Sequence, residues 1–166
     1  IEHELVFTSN ATEANNLAIL GVLENKIGKI ITTEIEHPSV FNVYKELEER
    51  GYDVVYLKVN EEGIIDLKQL EYEMDSNVLL VSIMWVNNII GSIQPIKDVI
   101  NIVNKYPKAK LHIDAVQGIT KIKANFNYKD VDLFTMSAHK FYGPKGIGVL
   151  AYKKNIDLKK RLFGSN

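Results

Sequence analysis

Apolar residues fall into two kinds of run along this 166-residue chain. Compact blocks rich in Val, Ile and Leu alternate with stretches in which apolar residues recur every three or four positions. The first pattern marks strands and the second marks helices with one buried face. Strands are expected at 5–8, 29–35, 53–59, 78–86, 109–115, 132–136 and 147–153. The first reads as a short buried strand, and the last, ending in lysines, as an edge strand. Residues 78–86, VLLVSIMWV, are almost wholly apolar, as a parallel strand covered on both faces would be. Helices are expected at 14–24, around Leu17, Leu20 and Leu23, and after Pro38, where Val40, Val43, Tyr44 and Leu47 share a face as far as Gly51. Two more are expected at 66–74, opened by Asp66, and at about 96–106. Strand and helix alternate at connection lengths typical of βαβ units. The expected architecture is therefore α/β: one domain over residues 1–166, a three-layer α/β/α sandwich with a mainly parallel sheet.

Composition narrows the partners more than the fold. The chain is 46% hydrophobic and 25% charged, ordinary values for a globular domain, and long enough to bury a core without metals or disulfides. A formal net charge of -1 gives no reason to expect nucleic acid or an anionic membrane as partner. No apolar run approaches the roughly 20 residues that span a bilayer, and the opening IEHELVF has no signal-like pattern, so the cytoplasm is the expected compartment. There is no cysteine, which removes disulfides, thiolate metal ligands and a thiol nucleophile from this stretch. No metal site is expected. Ile1 lies almost inside a strand-like run, and the chain stops at Asn166 without a closing element, so it is expected to be a fragment.

Candidate chemistry gathers just after the strands. Lys140 follows the apolar strand 132–136 and precedes a Gly- and Pro-rich segment that continues neither strand nor helix. A lysine desolvated in such a place becomes a nucleophile toward carbonyls; the competing reading is a surface lysine in a turn. Asp114 sits between Ile113 and Ala115 in an apolar context and needs a partner. That partner is either the protonated ring nitrogen of a cofactor or an internal Arg or Lys. His37, Asn87, Asn88 and Gln117 also follow strands, on the edge where open α/β sheets bind ligands. The helix start near Ser9, Asn10 and Thr12 offers free N–H groups to a phosphate, or is merely capped. The segment 143–148, GPKGIG, does not have nucleotide-loop spacing.

Five segments, in order, carry a likeness: TSNATEANN (8–16), EHPSV (36–40), NNIIGSIQPI (87–96), HIDAVQ (112–117) and SAHKFYGPKG (137–146). Together they resemble the cysteine desulfurases, the NifS/IscS-like group within the class V aminotransferase family of pyridoxal-phosphate enzymes. The resemblance implies the large domain of a fold type I transferase that binds pyridoxal 5'-phosphate. It implies that Lys140 holds the cofactor through its amine and moves protons at the substrate α-carbon. Asp114 would pair with the pyridine nitrogen, and His37 would stack on the ring and join in proton transfer. Gln117 and Asn88 would meet the ring's phenolic oxygen, Asn88 also lying near the substrate carboxylate. Ala11, Thr12, Ser137 and His139 would hold the phosphate. The implied activity converts L-cysteine to L-alanine and passes sulfur, as a persulfide, to an acceptor protein of iron–sulfur cluster or thiolation pathways, in a homodimer.

Departures from the family pattern limit that expectation. Asn10 and Ile89 stand where the family usually has Gly and Glu, and Asn10 is expected to tolerate a left-handed backbone. Relatives begin about sixty residues earlier, judged from typical domain sizes. They also continue into an arginine that grips the substrate carboxylate and a loop bearing the sulfur-accepting cysteine. Without these, the isolated fragment is expected to be inactive. The alternatives are another class V enzyme, a selenocysteine lyase or transaminase, and a non-catalytic domain that dimerises or binds a partner.

Overall fold

The alternating apolar blocks become the strands of a single sheet in the computed structural model, which describes residues 2–161. The chain ends flagged above, Ile1 and 162–166, lie outside that span. The strands are β1 (His3–Thr8), β2 (Lys29–Thr33), β3 (Asp53–Leu57), β4 (Val78–Met84), β5 (Lys110–Asp114), β6 (Leu133–Ser137) and β7 (Gly148–Lys153). The helices are α1 (Ala11–Leu23), α2 (Pro38–Glu49), α3 (Leu67–Glu73) and α4 (Ile96–Val103). Strand order is β1-β7-β6-β5-β4-β2-β3. Neighbours from β6 to β3 pair in parallel, while β7 runs antiparallel to both β6 and β1.

Residue alternation along each strand sorts the core into two layers. Ile30, Leu80, Leu133 and Leu150 face Ala18, Ile19 and Val22 of α1 and Val40 and Tyr44 of α2. Ile31, Val81, Leu111, Ile113 and Phe134 face Leu70 of α3 and Val99 and Ile102 of α4 on the other side. This is the three-layer α/β/α arrangement, with the apolar β4 covered on both faces as its composition predicts.

The first and last strands of the chain reverse their expected roles. β1 is one of the two sheet edges and is not buried: Leu5 is 58% and Phe7 72% exposed. β7 is an interior strand, paired on both sides. Its terminal lysine looks solvent-seeking in the sequence, but Lys153 Nζ lies 3.0 Å from Asp132 Oδ1 at the start of the neighbouring β6 segment. Which strand becomes an edge depends on pairing between residues 140 to 150 positions apart, from Thr8 with Gly148 to His3 with Lys153, and no local pattern reports that.

That pairing also sets the functional edge. Thr8 at the end of β1 and Ser137 at the end of β6 both lie opposite Gly148. The carboxyl ends of β1, β6, β5, β4 and β2 therefore open onto the same side. Gly148 is required for this closeness, since a Cβ there would overlap the Asn10 backbone carbonyl and the Thr8 hydroxyl. The first turn of α1 thus rests directly on the sheet.

Candidate active site

Asn10 caps α1 through Oδ1, which accepts the Glu13 N–H at 2.9 Å. Glu13 replies by accepting the Ser9 N–H at 2.8 Å and the Ser9 hydroxyl at 2.6 Å. The Ser9 hydroxyl, then its backbone, hold the Glu13 carboxyl below the usual carboxylate range. This reciprocal capping explains Asn10 differently from the expectation above. Its φ is -168°, extended backbone open to any residue, so left-handed tolerance plays no part. The N–H groups of Ala11 and Thr12, in the first turn, have no intrahelical acceptor and lie at the positive end of the helix dipole.

The nine residues to which the resemblance assigns cofactor contacts line one cavity of about 260 Å³: Ala11, Thr12, His37, Asn88, Asp114, Gln117, Ser137, His139 and Lys140. Asp114 is 6% exposed. Its Oδ1 accepts the Val116 N–H at 3.1 Å and its Oδ2 accepts the Asn15 amide at 2.9 Å. Burial pushes the Asp114 carboxyl up, against the pull of those two hydrogen bonds and of the nearby His37. No Arg or Lys pairs with it among the described residues, which removes the internal-cation alternative there.

His37 is the N-cap of α2, an uncommon choice for that position. Its Nδ1 accepts the Ser39 N–H at 3.1 Å and lies 2.8 Å from Ser39 Oγ. The asparagine pair divides its labour. Buried Asn87 shapes the turn, donating to Ile35 O at 3.0 Å and accepting the N–H groups of Ile89 and Ile90 at 2.9 and 3.0 Å. Exposed Asn88 faces the cavity. Half-buried Gln117 accepts from Lys121 Nζ at 2.6 Å. Ser137 Oγ lies 3.0 Å from His139 Nδ1.

Lys140 sits in a short 3-10 turn (Ala138–Phe141) immediately after β6 and lines the cavity. It is exposed, so the desolvation expected of it is not supplied by the described residues. The strand delivers the amine to the cavity without closing over it.

Three residues of this region are not marked out by the sequence reading. Asn15 and Ser39 join the cavity wall, and buried Glu36 holds the wall residue Met84, its Oε1 accepting from Met84 N–H at 2.9 Å and Thr33 Oγ1 at 2.8 Å. Burial pushes the Glu36 carboxyl up to about 8. Signals exist for two of them. Asn15 is one helical turn beyond Ala11, on the same face, and Ser39 lies two residues beyond His37, within capping reach.

The donor set suits pyridoxal phosphate. It offers an amine for covalent attachment, a buried carboxyl with no cationic partner among the described residues for the ring nitrogen, an imidazole on the wall, and hydroxyl and first-turn N–H groups for a phosphate. Residues 1–166 match the family model "Aminotransferase class-V". A cysteine desulfurase of Nostoc sp. is 43% identical over 167 residues, covering 99% of this chain and 42% of that protein. A solved structure described as a NifS-like protein superposes with a TM-score of 0.92 at 40% identity, over 98% of this chain and 46% of its own. Another, described as SspA in complex with cysteine, gives 0.88 at 38% identity, over 97% of this chain and 48% of its own. The chain thus spans less than half the length of each of these relatives.

Proposed function

The chain belongs to the class V aminotransferase family, and on that premise we propose that its cavity holds pyridoxal 5'-phosphate for a cysteine desulfurase acting on L-cysteine to give L-alanine. The observation that carries this reading is the convergence of Lys140, Asp114, His37 and the first turn of α1 on one cavity, with no cation on Asp114 among the described residues. The cysteine bound in the SspA neighbour supports the substrate class.

When bound, pyridoxal phosphate supplies an electron sink for carbanion chemistry at an amino acid's α-carbon. The residues divide the remaining work. Asp114 keeps the ring nitrogen protonated, a role suited to a buried carboxylate with two fixed hydrogen bonds. His37 would contact the ring, with its Nδ1 engaged by Ser39. Gln117 and Asn88 would meet the phenolic oxygen, and Ala11, Thr12, Ser137 and His139 would hold the phosphate. Lys140 binds the cofactor and carries the proton at the substrate α-carbon. Its exposure leaves the amine accessible to a substrate entering the cavity. With no cysteine among these 166 residues, the thiol that accepts sulfur comes from outside them, and the proposed assembly is a homodimer.

The test is direct. The protein is incubated with pyridoxal phosphate, reduced with borohydride, digested and mapped. Modification at Lys140, lost in Lys140→Ala, is expected. Labelling spread over surface lysines, with Lys140 unmodified, rejects the assignment.

A further inference from the structure

Asn15 is a buried amide at the centre of the site with no role in the assignments above. It is fully buried in the second turn of α1, and its Nδ2 donates at 2.9 Å both to Asp114 Oδ2 and to Ser39 Oγ. Its Oδ1 is buried without a hydrogen-bond partner among the described residues. A side-chain amide has two N–H donors and one acceptor oxygen. Both donors are spent on the bridge, and the acceptor is left unmet, an arrangement that costs stability. Turning the amide over would press Oδ1 against the Asp114 carboxylate. The orphaned oxygen therefore records that donation to Asp114 and Ser39 is what this position supplies.

The bridge continues with a defined direction. Ser39 Oγ accepts a hydrogen bond from Asn15, so its own hydroxyl is free to donate to His37 Nδ1 at 2.8 Å. The same Nδ1 accepts the Ser39 backbone N–H at 3.1 Å. A ring nitrogen that accepts these bonds carries no proton, and the neutral imidazole then keeps its proton on Nε2.

We infer that Asn15 is a positioning residue that couples the two sides of the site: one amide orients the Asp114 carboxylate and, through Ser39, holds His37 as the Nε2–H tautomer. Contact of these two groups with pyridoxal phosphate rests on the proposed function, but the bridge itself is a property of the apo-protein. It gives the site a fixed acid and a fixed imidazole whose spacing is set by a single helix position.

The experiment follows Asp114 by carboxyl 13C NMR and the His37 ring by 15N NMR in labelled apo-protein across pH, beside titration with pyridoxal phosphate. Loss of a charge-assisted hydrogen bond in Asn15→Leu raises the Asp114 titration midpoint by about one unit. It also moves the His37 Nδ1 signal toward that of a protonated nitrogen. Ser39→Ala moves the His37 signal and leaves Asp114 in place. Pyridoxal phosphate binding weakens about tenfold in Asn15→Leu. Asn15→Ala, which leaves room for water, gives the same readings if the Leu variant does not fold. Wild-type signals for both Asp114 and His37 in a folded Asn15 variant overturn the inference, and so does unchanged cofactor affinity. If the wild-type protein binds no pyridoxal phosphate while the two NMR shifts appear, the proposed function falls and the bridge stands.

Discussion

Replacing Glu36 by Gln tests the electrostatics of this buried carboxyl through stability. Glu36 is 8% exposed, with Oε1 held by Met84 N–H and Thr33 Oγ1 and Oε2 left without a partner among the described residues. Burial raises its carboxyl from 4.5 to about 8; the two hydrogen bonds oppose this, and the charge of Asp114 adds to it. In the unfolded chain the group ionises near its ordinary value. Between pH 4.5 and 8 the folded state thus keeps a proton that the unfolded state has released. Stability falls as pH rises through that window. At 1.36 kcal/mol per unit the full shift corresponds to about 5 kcal/mol, an upper bound because buried sites relax on ionisation. The Glu36→Gln substitution is a neutral isostere: it keeps the Oε1 acceptor and cannot ionise. At pH 5 the variant is expected within about 1 kcal/mol of wild type, and at pH 8.5 more stable by about 2–5 kcal/mol. Urea unfolding at three pH values reads this, using fluorescence of Trp85, the chain's single tryptophan, which is buried. A difference between variant and wild type that is constant with pH, or that grows toward acid, refutes the reasoning.

His112 provides the opposite dependence. It is buried between Ser82 Oγ, 3.1 Å from Nδ1, and Thr135 Oγ1, 3.0 Å from Nε2, and burial lowers it from 6.5 to about 3. Unfolding lets it take up a proton, so its contribution is lost as pH falls from 6.5 toward 3, and the acid loss of stability should be shallower in His112→Gln by up to about 5 kcal/mol in urea titrations. A loss as steep as wild type's would contradict the buried, neutral assignment. Gly118→Ala is expected to cost about 1–3 kcal/mol, because the added Cβ would overlap the Trp85 ring, itself packed edge-on to Phe126 at 5.0 Å. The urea midpoint and the Trp85 emission maximum should shift together; an unchanged midpoint would show that the ring has room to move.

Much of the site is legible in the sequence because its chemistry is attached to strand ends. A parallel α/β sheet places the residues after each strand on one edge, so His37, Asn88, Asp114 and Lys140 are neighbours in space once the strands are identified. Asn87 and Asn88 are equivalent in the sequence, yet one is buried in turn hydrogen bonds and the other is exposed at the cavity, a choice made by the path of the loop. Asn15 is hidden by the helix it belongs to. Its partners Asp114 and Ser39 are 99 and 24 residues away, and only the packing of α1 across β5 and the start of α2 unites them. Glu36 reads locally as part of a turn, and its perturbation arises from burial that composition cannot report.

The strand–helix alternation, the two-sided burial of β4 and the set of polar residues gathered at the strand ends follow from the order of residues alone, because side-chain periodicity and turn chemistry are local properties. Tertiary structure alone decided that β1 is an exposed edge and β7 an interior strand, that Lys140 remains open to solvent, and that Asn15 bridges Asp114 to His37 through Ser39. Those outcomes depend on strand pairing and hydrogen bonds between distant residues, whose free energies are settled only when the whole sheet is assembled.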